Sequence, residues 1–93
     1  MAGEMIQIEH LTVSNTSPST LNFTSGVQKV YITAITHDMY VDFNGRTATP
    51  NSFRIVAAQH PAEFNFTGGS VNSMSILADT GSGEVYVMGV IGD

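Results

Sequence analysis

Apolar residues recur at every second position along this chain and nowhere hold helical spacing over three turns. Successive side chains of a strand point to opposite faces, so this period encodes strands with one face turned toward a core. Met5-Ile6-Gln7-Ile8-Glu9 alternates with Ile6 and Ile8 on one side. Leu11 and Val13 continue after a slip of phase at His10, which predicts a bulge or strand break there. The polar run 14–19 is a loop, and Leu21 and Phe23 make a short strand closed by Ser25-Gly26. Residues 27–35 are the strongest strand, with Val30, Ile32 and Ala34 on one face. In 39–43 the pattern turns Met39, Val41 and Phe43 inward and Tyr40 and Asp42 outward, before the turn signal Asn44-Gly45. Strands follow at 53–56, 63–66, 73–78 and 84–91, divided by Gln59-His60-Pro61, by Thr67-Gly68-Gly69-Ser70 and by a hairpin loop at 80–83. Seven or eight short strands spaced roughly ten residues apart predict an all-β, antiparallel sandwich or small barrel with no substantial helix. It forms one domain over 1–93, in which residues 1–26 read either as first strands or as an N-terminal arm.

The last strand breaks the rule that an antiparallel sheet shows water a polar face. Val85, Val87 and Ile91 lie on one side, and Tyr86, Met88 and Val90 on the other. A covering loop or another subunit is needed. A chain of 93 residues builds a thin core and this one has no cysteine to staple it, so a homo-oligomer is expected. Tyr and Arg are enriched in interface cores, which makes Tyr86, Met88, Val90, Tyr40, Arg46 and Arg54 the candidate interface residues. For the arginines the competing reading is local pairing with carboxylates.

The stretch 36–45, THDMYVDFNG, gathers His37, Asp38 and Asp42. Co-facial ligands on a strand stand at i and i+2, and His37 and Asp42 are five apart, so a straight strand points them oppositely. Asp38 is expected to bond its own backbone in the turn. No Ser sits in a Gly-x-Ser-x-Gly elbow, and Gly68-Gly69 lacks the Lys of a phosphate loop. No catalytic residue, metal or cofactor is expected, and the chain is not read as an enzyme. Lys29, Arg46 and Arg54 are the only cations in a chain of net charge −5, which argues against nucleic acid and anionic membranes as partners. No signal peptide is read after Met1, and the three Asn-x-Ser/Thr sequons at Asn15, Asn22 and Asn65 are read as unused.

The blocks VYITAI at 30–35, MYVDFNG at 39–45, ATPNSF at 48–53, FNF at 64–66 and GSGEVYV at 81–87 resemble small virion proteins of tailed bacteriophages, of the capsid decoration or cement type. The resemblance spans roughly residues 27–91. It implies a jelly-roll or related sandwich, trimeric by preference or else dimeric. Such a protein is made in the host cytoplasm and sits on the outer capsid surface, where it clamps major capsid subunits and stabilises the shell. The alternatives are another virion part, such as a tail, collar or fibre module, or a carbohydrate- or receptor-binding sandwich using Tyr40, Tyr86 and the loop 44–52.

Overall fold

The computed structural model describes residues 5–66 and 70–91. Its eight strands are β1 (Met5–Ser14), β2 (Ser19–Val27), β3 (Lys29–Ala34), β4 (Met39–Phe43), β5 (Phe53–Ile55), β6 (Ala62–Asn65), β7 (Val71–Ala78) and β8 (Ser82–Ile91). They form two antiparallel four-stranded sheets, sheet I in the order β1-β8-β3-β6 and sheet II in the order β2-β7-β4-β5. First strand pairs with last, second with seventh, third with sixth and fourth with fifth. The chain is thus one long two-stranded ribbon, rolled so that β8 also meets β3 and β7 meets β4. That nesting is the jelly-roll arrangement of a β-sandwich.

The inward side chains of the two sheets make a single core. Val13, Val30, Ile32, Val85 and Val87 of sheet I face Leu21, Phe23, Met39, Val41, Met74 and Ile76 of sheet II. Gly89 makes room for Phe23, because a Cβ there would come within 2.8 Å of its ring. Gly89→Val is expected to cost about 1–3 kcal/mol by overpacking, read as a lower midpoint in urea denaturation. On the side between β5 and β6, Phe43 lies 5.2 Å from Phe64 and 5.1 Å from Phe66, and Phe53 lies 5.1 Å from Phe64.

Several sequence expectations change. Of the two readings of the N-terminal segment, residues 5–26 are first strands, supplying β1 and most of β2, one strand to each sheet. There is no bulge at His10, because β1 and β8 stay in register over all ten pairs. The backbone keeps its phase while the apolar residues change sides, Ile6 and Ile8 facing out and Leu11 and Val13 facing in. The irregularity falls instead in β2, between Asn22 and Val27, and Val27 belongs to β2 and not to the next strand. Asn44 and Gly45 do take positive φ, 56° and 86°. The chain nevertheless returns as β5 only after the whole loop 44–52. Residues 79–81 are not a hairpin loop, since they carry the chain from sheet II to sheet I. Thr67-Gly68-Gly69 of the expected break lies outside the described residues.

Candidate interaction surface

The outer faces of the two sheets differ in what covers them. On sheet II the chain covers itself. Ser73 and Ser75 of β7 point outward and hold the loop 44–52 across the sheet: Gly45 N donates to Ser73 Oγ at 3.2 Å and Ala48 N to Ser75 Oγ at 2.9 Å. Ala48 and Ser75 are both buried as a result. Asn44 Oδ1 accepts from Asn72 N at 2.8 Å, and Ser52 Oγ donates to Asp42 Oδ2 at 3.2 Å. Ser75→Ala leaves the Ala48 amide buried without an acceptor. It is expected to cost about 1–3 kcal/mol and to open 44–52 to proteolysis, read by denaturant midpoint and cleavage rate.

Beside this loop lies a charged cluster. Arg54 Nε and Nη2 donate to Asp38 Oδ2 at 2.9 and 2.6 Å, Nη2 reaches Asp79 Oδ2 at 3.4 Å, and Nη1 donates to the Tyr40 hydroxyl at 3.3 Å. The guanidinium carbon stands 5.7 Å from the Tyr40 ring centre. Asp38 does not bond its own turn as expected; its Oδ1 accepts from Ala57 N at 2.8 Å and so pins the segment after β5. That amide first, and then Arg54, hold the Asp38 carboxyl below its ordinary value, with burial opposing them. A carboxyl whose folded value is lowered adds stability that is present above the unfolded value of 3.8 and lost as pH falls through the folded value. Asp38→Asn is expected to lower stability at neutral pH and to flatten part of its fall in acid, measured by urea midpoints from pH 2 to 7. At Asp42 burial works to raise the carboxyl's value. The Phe43 amide, Arg46 and Ser52 outweigh it and leave the carboxyl lowered. Arg46 Nε lies 3.2 Å from Asp42 Oδ1. Both arginines are therefore engaged within the chain.

Sheet I is different. Across its outer face the registers set Ile6 beside Val90 and Lys29, then Ile8 beside Met88 and Tyr31, then His10 beside Tyr86 and Thr33. Ile8 is 66% exposed, Ile6 55% and Tyr86 44%. Met88 is half-buried at the centre, and Val90, flanked by Ile6 and Lys29, is only 7% exposed. At one end the His10 ring stacks on Tyr86 with centroids 4.3 Å apart, and its Nε2 lies 2.8 Å from Glu84 Oε1. This pair is exposed and adds little stability. Its effect is to hold the Tyr86 ring flat against its neighbour. At the margin between the two sheets, Ile6, Gln7, Thr24, Ser25 and Ile91 line a groove of about 210 Å³. Ile6, Ile8 and Tyr86 are thus large apolar side chains left exposed on one outer face.

The structure thus divides the candidates. Tyr86, Met88 and Val90 share the bare face of sheet I, while Tyr40, Arg46 and Arg54 lie with sheet II and its loop. Ile6 and Ile8 complete the apolar face and were not singled out from the sequence. The slip of phase at His10 was their signal. His37 approaches Thr80, with Nδ1 and Oγ1 3.4 Å apart, and does not meet Asp42. Among the described residues no three His, Asp or Glu side chains gather as metal ligands. No family model, curated protein or solved structure matches the chain.

Proposed function

We propose that the protein is a non-enzymatic structural component of a tailed-phage virion, a decoration or cement protein that seats sheet I on the assembled capsid. The observation that carries this reading is the contrast between the faces. The loop that could cover a sheet is tied down on sheet II, and Ile6, Ile8 and Tyr86 of β1 and β8 are left exposed around the half-buried Met88. A second support is the placement of ionic groups. Asp38, Asp42 and Asp79 are paired with arginines on sheet II, and on the outer face of sheet I the carboxylates stand at the margins, Glu84 beside His10 and Glu63 on the edge strand β6 beside Tyr31. Interfaces are depleted of charge at their centre and enriched in aromatics and Met, as Tyr31, Tyr86 and Met88 supply here.

The mechanism is mass action. A protein that binds the assembled shell and not its free subunits stabilises the shell by RT ln(1 + [L]/Kd) at each site, about 2.7 kcal/mol at 100 Kd. Repeated over a lattice, modest contacts resist internal pressure. A tail, collar or fibre module would use the same face on another virion surface. A sugar-binding reading draws on the groove of about 210 Å³ between Arg46, Thr47, Thr20 and Ser73. Co-sedimentation decides among them, using assembled shells of the major capsid protein encoded in the same genome and its unassembled subunits as control. Saturable binding to shells alone, with silence on a glycan array, is the expected result. A chain that stays in the supernatant and binds glycans overturns the cement reading.

A further inference from the structure

A β-sandwich has four edge strands, and each offers a row of backbone groups to which another chain can add. Three of the four edges here are blunted. β5 is three residues long, β6 is four, and β2 is irregular between Asn22 and Val27. Part of β2 is also taken up by Gln7, whose Oε1 accepts from Thr24 N at 2.9 Å and whose Nε2 donates to Asn22 O at 3.3 Å. The fourth edge is β1. It runs for ten residues, MIQIEHLTVS, in unbroken register with β8 and with no Pro, Gly or Lys to discourage a neighbour. The longest of the four edges is thus the one left straight and open to pairing.

We propose that a second copy of this chain pairs with β1, antiparallel and about a two-fold axis near Ile8, to make one continuous eight-stranded sheet from two copies of sheet I. Identical strands related by a two-fold axis run antiparallel, and the contact closes at two copies. The axis at Ile8 sets Ile8 beside the second copy's own Ile8 on the outer face, where this side chain is 66% exposed in one copy. On the inner face it sets Gln7 across from Glu9, and these two already bond within one chain at 3.2 Å. No carboxylate then faces a carboxylate, although each copy carries a net charge of −5. Glu9 is already half-buried, so an added strand leaves it in place. The joined sheets also merge their bare apolar faces into one larger platform. The inference stands on the edges of the sandwich and does not rest on capsid binding.

Light scattering and amide hydrogen exchange test it together on the purified full chain. The expected mass is twice 9.9 kDa at micromolar concentration. Consecutive amides over residues 6–10 should exchange slowly, because one set bonds β8 and the alternate set bonds the second copy. Ile8→Cys should oxidise to a covalent dimer, whereas Thr12→Cys should not. Ile8→Lys, which sets two ammonium groups side by side, should halve the mass, and Met88→Lys on the face should leave it unchanged. A wild-type mass of one or three copies, slow exchange only at alternate residues of β1, or loss of the dimer in Met88→Lys would overturn the proposal. If Ile8→Lys does not fold, the wild-type exchange pattern still decides. A dimer that ignores shells keeps this inference and removes the cement reading, and a monomer that sediments with shells does the reverse.

Discussion

Ile32→Ala is expected to lower the free energy of unfolding by about 2–5 kcal/mol. Ile32 is fully buried in β3, which is paired on both sides, with β8 and with β6. Its side chain points into the one core that the two sheets share. Removing it takes away apolar contact and leaves a cavity between sheets that are each held by a ladder and collapse poorly around it. A domain of this size is stable by about 5–15 kcal/mol, so the loss is a large share of the total. Urea denaturation checks it: the midpoint should fall with the slope unchanged, since native and unfolded surfaces stay alike. A loss below about 1 kcal/mol would mean that the sheets do not pack on each other at this position.

Met88→Lys should have the larger functional effect while sparing the fold. Met88 sits at the middle of the outer face of sheet I, with Ile8 on one side and Tyr31 on the other. Side chains at the desolvated centre of an interface carry most of its binding energy, and truncating or charging one costs about 2 kcal/mol or more, roughly 30-fold in affinity. In the free protein the lysine stem lies along the sheet and its ammonium reaches water, so unfolding should change by only about 0.5 kcal/mol. Tyr86→Lys acts on the same face but also removes the ring on which His10 stacks, and should weaken binding in parallel.

Much of the architecture was legible in the period-two pattern. The inward sets Val30, Ile32, Ala34 and Met39, Val41 are buried as their alternation implies. What misled the reading was treating a change of apolar face as a change of backbone. At His10 the strand runs straight, and it is the environment that switches, from the core behind Leu11 and Val13 to the bare outer surface at Ile6 and Ile8. Pattern alone cannot separate those cases, because a bulge and an apolar outer face write the same residues. The connection at 79–81 failed for a related reason. Thr80-Gly81 is a turn in either topology, and only the pairing of β7 with β2 and β4 makes it a passage between sheets. The role of Asp38 was beyond local reading, since its partners Arg54 and Ala57 come from a distant strand and the turn after it. The covering of sheet II depended on Ser73 and Ser75, whose hydroxyls look like ordinary strand decoration until the loop lies over them.

The proposal that the apolar outer face of sheet I meets the capsid is decided by titrating assembled shells with wild-type protein and with Met88→Lys, and quantifying the sedimented chain. Saturable binding by the wild type and a loss of about 30-fold or more in a variant with unchanged urea midpoint is the predicted result. Equal binding by the two proteins, or no binding by either, would contradict it.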